Sequence, residues 1–237
     1  MAIVCYHAMT AAELSTCDHL PAHVGWLACH FSLSGPGLSN IPKELPANSL
    51  LILDDSAPFH HHQPEVILRQ LQETISALEV RAVILDLQRP NDPGVQNLVS
   101  MLQRELPCSV PAPPQHSSGN HPVFLPPCPL NLPLERHLAS YQGREIWLDA
   151  APFPTQITVT AQGYTSQALS MAELRDATHW EPELYCNYKI ALQDDRIIFT
   201  LSRDADAFCS WLEYAETLGV TAAIGLYQEL KQQKPPC

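Results

Sequence analysis

Residues 82–90 read AVILDLQRP, an apolar run that turns polar at its end. Ala82 to Leu85 are apolar and partly β-branched, and the run then breaks into Asp86, Leu87, Gln88, Arg89 and Pro90. A continuous apolar run bounded by proline suits a strand of a parallel sheet covered on both faces. Its polar residues then fall at the carboxyl end, where α/β folds gather their ligand sites. Period-two alternation puts Asp86 and Gln88 on one face and Leu87 on the other. A carboxylate and an amide are thus aimed at one point, either a catalytic centre or a polar plug in a barrel mouth.

The flanking sequence supports the parallel reading. Upstream, VGWLACHF (24–31) and SLLILDD (49–55) are strand candidates, the second again ending in acids. PEVILRQLQETISALE (64–79) has apolar residues at 66, 67, 68, 71, 75 and 78, close to helical spacing, with proline in the first turn. A second helix is predicted over 93–105, followed by short apolar segments at 108–112, 122–125 and 145–150. Strand and helix alternate with short connections, which implies right-handed crossovers and parallel pairing. The pattern breaks over 151–202. There TQITVTAQG reads as a strand, SMAELRDAT as a short helix, and YCNYKIALQDDRIIFTLS as a hairpin turning at Asp194-Asp195. A helix over 204–219, ended by Gly219, and a last parallel strand from Val220 close the chain. The expectation is an α/β chain folded over 1–237 as one compact (β/α) barrel. An α+β insertion at 151–202 precedes its last strand.

The totals narrow the function classes. The 237 residues are 46% hydrophobic, enough to bury a sizeable core, and only 16% charged. A net charge of −12 (13 basic against 25 acidic residues) argues against nucleic acid, whose phosphates need clustered Lys and Arg. No run of about 18 apolar residues offers a membrane span. The N-terminal MAIVCYHAMTAAELSTCDHL lacks the basic and apolar regions of a signal peptide. Eight cysteines without a CxxC pair read as reduced thiols, and the protein as soluble and cytoplasmic.

Three places resemble the family 18 glycoside hydrolases, the chitinase-like (β/α)8 barrels, and among them the spore-cortex-lytic N-acetylglucosaminidases. The first is NYKIALQDDRIIFTL followed by SRDADAFCSWLEYAETLGV and TAAIGLYQEL, similar to the family's hairpin, helix and last strand. The second is REIWLDAAPFPTQITVTAQG with QALSMAEL, like the seventh strand entering the insertion. The third is AVILDLQRP, at the family's fourth strand, whose motif ends in Asp-x-Glu. The resemblance covers roughly residues 80–230 and implies a (β/α)8 TIM-type barrel. It also implies as ligand an N-acetylglucosamine-containing glycan or a peptidoglycan fragment, with no cofactor.

Departures from the pattern bear on activity. In this substrate-assisted family the sugar's N-acetyl oxygen attacks while the Glu protonates the leaving oxygen. Here Gln88 stands at the Glu position and has no titratable proton, forfeiting an effect typically worth about 10²–10⁴-fold. The family's tyrosine-aspartate pair on the sixth strand is replaced by FLPPCPLN (124–131), and Tyr227 stands where a tryptophan is usual. Asp86, Asp54 and Asp55 are the candidate substitute acids, although for the last two an N-cap or a solvated loop is the preferred reading. Tyr227, Trp147, His30, His116 and Arg89 are candidate ligand contacts, each with a core or loop alternative. The run His60–His62 is read as a solvated loop, because a catalytic zinc needs about three convergent ligands, and no metal is expected. Cys5 and Cys29 have little to recommend them as nucleophiles. The expected protein is a degenerate barrel that binds glycan without efficient hydrolysis. An active glycosidase and a non-carbohydrate enzyme on the same scaffold remain the alternatives.

Overall fold

The structure, a computed structural model, describes residues 3–59, 62–89, 92–151, 154–170 and 179–231. The barrel strands are β1 (Val4–Met9), β2 (Val24–Phe31, with the two-residue β3, Leu38–Ser39, on its end), β4 (Leu50–Asp54), β5 (Ala82–Asp86), β6 (Val123–Leu125) and β7 (Ile146–Asp149). The second sheet holds β8 (Thr155–Thr160), β9 (Gly163–Ala168), β10 (His179–Glu181), β11 (Cys186–Gln193) and β12 (Arg196–Ser202), and β13 (Val220–Leu226) returns to the barrel. The helices are α1 (Ala11–Thr16), α2 (Pro64–Leu78), α3 (Pro93–Glu105), α4 (Leu134–Leu138), α5 (Ala205–Thr217) and α6 (Tyr227–Leu230).

Seven parallel strands lie in the order β5-β4-β2-β1-β13-β7-β6. Residues 109–112 bridge the remaining gap. Val83 and Leu85 of β5 donate to Ser109 and Pro111 at 3.0 and 2.9 Å, and Phe124 of β6 donates to Ala112 at 2.8 Å. Prolines at 107, 111 and 113 keep this eighth staff irregular, since proline has no N–H for the ladder. Counted this way, AVILDLQRP is the fourth strand of a (β/α)8 barrel, the expected architecture. The apolar segment at 108–112 is the fifth.

Alternation sorts the strands into two faces. Tyr6, Ala8, Leu50, Ile52, Ala82, Ile84, Trp147, Ala222 and Ile224 fill the barrel interior. Leu51, Leu53, Val83, Leu85 and Leu87 face outward, against Ile67, Leu71 and Ile75 of α2 and Val95, Leu98, Val99 and Leu102 of α3. Both helices start with proline at the first turn, where its missing N–H costs nothing. Asp92 caps α3 through the N–H of Gly94 at 2.8 Å. On the opposite side Phe208, Trp211, Leu212 and Ala215 of α5 cover β7 and β13. Asp204 caps α5 through Ala207 N–H at 2.8 Å, and Gly219, at φ +87, takes the left-handed residue beyond its end.

The stretch after β7 forms a five-stranded antiparallel sheet in the order β10-β11-β12-β8-β9. The predicted hairpin is there, with Asp194 at φ +49 in its two-residue turn. TQITVTAQG, expected as one strand, breaks at residues 161 and 162, and Gly163 at φ +137 opens a partner strand, β9. The helix expected over 170–178 lies almost wholly outside the described residues. No described helix is long and apolar enough to cross a membrane. Cys5, Cys17, Cys29, Cys108, Cys128 and Cys186 are free thiols, but Cys209 is disulfide-bonded, which corrects the reading of all eight as reduced.

Candidate functional site in the barrel mouth

Three strands end in an inward carboxylate. On β4 the interior series Leu50, Ile52 continues to Asp54, and on β5 Ala82, Ile84 continues to Asp86. Asp54 and Asp86 are direct cross-strand partners. On β7 the residue after inward Trp147 on the same face is Asp149. Glu229, on the one-turn helix α6 after β13, adds a fourth carboxylate, and its Oε2 is buried without a hydrogen-bond partner among the described residues.

Each acid has a different setting. Asp54 is hydrogen-bonded on both oxygens: its Oδ2 accepts from His30 Nδ1 at 2.6 Å and its Oδ1 from the N–H of Ser56 at 2.9 Å. Asp86 accepts a hydrogen bond from the side-chain amide of Gln88. Burial pushes the Asp86 carboxyl up, the Gln88 bond pulls it down, and the fields of Asp54 and Asp55 push it up again. Asp149 is pushed up to about 7, by burial first and then by Asp86 and Glu229, with a backbone hydrogen bond from Ala151 opposing. Burial also raises Glu229. The mouth therefore holds one carboxyl that is half protonated near neutral pH, one paired with an imidazole, and one paired with an amide. Asp149 and Glu229 were not singled out from the sequence. The signal for Asp149 was present, because EIWLDA ends in an acid at the same phase as LILDD and VILDL. No sequence signal pointed to Glu229.

Other candidates lie elsewhere. Asp55 is on the outward face and 6% exposed, so it is neither a solvated loop acid nor a mouth acid. Its two oxygens accept the backbone N–H groups of Gln88 at 3.1 Å and Arg89 at 2.7 Å, clamping the turn after β5. Arg89 donates to the carbonyl of Ser56 at 3.1 Å, and buried His116 donates through Nε2 to the Arg89 carbonyl at 3.0 Å. These three residues hold the loop that carries Gln88. Trp147, expected as a sugar platform, is 2% exposed. Its ring packs on Tyr6 inside the barrel and its N–H donates to Glu145 at 2.7 Å, which leaves no face for a ligand. Tyr227 sits one residue beyond the inward position and faces the outer rim. Its hydroxyl meets Cys17 Sγ at 3.2 Å, its ring lies edge-on to His7, and Lys231 Nζ stands 5.5 Å from the ring centre. Leu226, 41% exposed, takes the inward position at the end of β13.

His62 stacks on Phe59 and bonds the carbonyl of Ser32 at 2.9 Å, and His60 and His61 lie outside the described residues. Among the described residues no group of three or more His, Cys, Asp or Glu is placed to hold a metal ion. Burial pushes the Cys5 and Cys29 thiols up to about 12, so neither supplies a thiolate near neutral pH.

Neither a protein-family profile nor a curated protein sequence matches the chain. Solved structures do. The chain is similar to the spore cortex-lytic enzyme SleL of Bacillus cereus, with a TM-score of 0.55 at 8% identity over 97% of this chain and 73% of that one. It is similar to a chitinase-like agglutinin of Robinia pseudoacacia, with a TM-score of 0.61 at 10% identity over 94% of each chain. It is also similar to a GH18 chitinase of Cycas revoluta crystallised with (GlcNAc)3, with a TM-score of 0.57 at 10% identity over 95% of each. The chain thus has a barrel of the family 18 chitinase type. At these identities the likeness establishes fold, and function rests on the site.

Proposed function

We propose that this protein is a divergent family 18-type barrel that binds an amino-sugar glycan, an N-acetylglucosamine oligomer or a peptidoglycan fragment, at its mouth without efficient hydrolysis. The observation that carries the reading is the Asp86–Gln88 pair. The residue two beyond the inward strand-end acid is an exposed amide already donating to that acid. An amide in this place orients and hydrogen-bonds but transfers no proton. Asp54, Asp86 and His30, half-buried at the rim, supply donors and acceptors for sugar hydroxyl and N-acetyl groups, and exposed Leu226 at the end of β13 gives a small apolar surface. The neighbours support a glycan, since one was crystallised with (GlcNAc)3 and another is an agglutinin.

Calorimetric titration with a GlcNAc oligomer tests the reading. Saturable binding is expected in the wild type, with affinity falling about tenfold or more in Asp86→Asn, the effect of one charge-assisted hydrogen bond. No binding, or binding indifferent to Asp86 and Asp54 substitutions, refutes the mouth as the site.

One observation favours a second reading, a slow glycosidase. The Asp149 carboxyl, titrating at about 7, is suited to donate a proton near neutral pH. In that case cleavage occurs, is abolished by Asp149→Asn, and falls as pH rises through about 7.

A further inference from the structure

The antiparallel sheet β8–β12 has two unlike faces. Tyr188, Phe199, Leu201 and Ile157 share one face, which packs on Leu130 and Leu184. Register places Gln156, Gln167, Thr158, Thr200, Lys189 and Arg196 together on the other. That face is hollowed into a cavity of about 700 Å³ that these six side chains line, with apolar Ile198, Ala191 and Leu169 between them. Trp180, paired with Asn187 at the edge strand, is 46% exposed on the same face by alternation.

An antiparallel sheet commonly leaves one face to solvent, and a soluble surface ordinarily intersperses both signs of charge. In a chain with 25 acidic and 13 basic residues, this face carries Lys189 and Arg196 and no carboxylate along its strands. Among the described residues neither cation makes an ion pair, although Asp194 and Asp195 occupy the turn next to Arg196. Arg196 and Lys189 lie four residues apart in register, roughly 14 Å along the strands. Nucleic acid carries a charge about every 3.4 Å per strand and is bound by clustered cations, so two cations this far apart suit a sparsely charged chain. Amides, hydroxyls and an exposed tryptophan between and beside the cations suit a hydroxyl-rich ligand.

We infer that the polar face of this sheet is a second binding site, for an acidic glycan with a carboxylate on every second sugar. Arg196 takes one carboxylate, in the forked geometry a guanidinium offers, and Lys189 another. The Gln and Thr side chains take the hydroxyls between. This site is independent of the barrel mouth: it lies on the second sheet and takes the carboxylates, whereas the mouth takes hydroxyl and N-acetyl groups.

The test is an NMR titration of the full chain with a hyaluronan octasaccharide, and separately with a tetrasaccharide containing muramic acid, which carries its carboxylate on a lactyl ether. Saturable shifts on β8, β11 and β12 with either are expected. The affinity should drop about tenfold in Lys189→Gln/Arg196→Gln and weaken with added salt. Both side chains reach solvent, so the double variant should keep the wild-type spectrum elsewhere. Four results overturn the inference: no shifts with either acidic glycan, binding unchanged in the double variant, equal binding of a neutral GlcNAc oligomer to this face, or tighter binding of single-stranded DNA. Loss of hyaluronan binding in Asp86→Asn alone also overturns it, by moving that ligand to the mouth. Failure of the neutral oligomer at the mouth leaves this titration readable.

Discussion

Replacing Asp149 with Asn should stabilise the protein, and by an amount that depends on pH. The carboxyl moves from an ordinary 3.8 in the unfolded chain to about 7 in the fold. Below about pH 4 it is protonated in both states and contributes nothing. As pH rises from there towards 7 the unfolded chain ionises first, so stability falls, and above 7 the whole penalty is present. At about 1.4 kcal/mol per pH unit the difference amounts to roughly 4 kcal/mol, an upper figure because the mouth can relax or admit water. Asparagine keeps the shape and an oxygen for the Ala151 hydrogen bond while removing the charge that Asp86 and Glu229 oppose. Urea unfolding of both proteins across pH 4–8 checks this. The variant should match the wild type at the acid end and exceed it by about 2–4 kcal/mol at the alkaline end. A difference that stays flat with pH, or a variant less stable above about pH 7, refutes the placement of Asp149 among the other acids of the mouth.

Three further substitutions probe the same framework. Trp147→Ala empties the barrel interior and leaves Glu145 without its indole donor, so chemical denaturation should show a loss of about 3–5 kcal/mol; a loss below about 1 kcal/mol would mean the ring is not inside. Asp55→Ala removes the acceptor of two part-buried N–H groups behind the Gln88 loop and should cost about 1–3 kcal/mol, with faster hydrogen exchange at residues 88 and 89; protection equal to wild type contradicts the clamp. Gln88→Glu puts two carboxyls on one hydrogen bond, so NMR titration should find the carboxyl introduced at position 88 raised above the ordinary value and titrating in two steps shared with Asp86. A single step near about 4 at position 88 would show that residue 88 turns away from Asp86.

The barrel was legible because its strands are uncommonly plain. VGWLACHF, LLILD, AVILD and IWLD are short apolar runs, and the helices between them start at proline and carry one apolar stripe. The same alternation that sends Leu51 and Leu53 outward sends Asp54 and Asp86 inward, so those two acids were predictable. Asp149 obeys the same rule, and only its phase relative to the other two strands, set by sheet register, reveals that it faces them. Asp55 and Tyr227 mislead for the opposite reason. Each lies one residue from an inward position, and a step of one residue in a strand exchanges core and rim. Trp147 is equally ambiguous in sequence, since a tryptophan on the inward face serves as a sugar platform only if the barrel leaves it uncovered. Tyr6 covers it. Glu229 reaches the mouth through a one-turn helix after β13, a tertiary accident with no local pattern.

On the proposed function, the mouth holds a glycan and does not cut it. A single NMR time course on the protein mixed with a GlcNAc oligomer tests both halves, because saturation transfer reports binding and new anomeric signals report cleavage. The expected result is saturation transfer to the sugar that is lost in Asp86→Asn, with no new anomeric signals. New anomeric signals that disappear in Asp149→Asn would contradict it and make the protein a hydrolase, and absence of saturation transfer would remove the glycan from the mouth altogether.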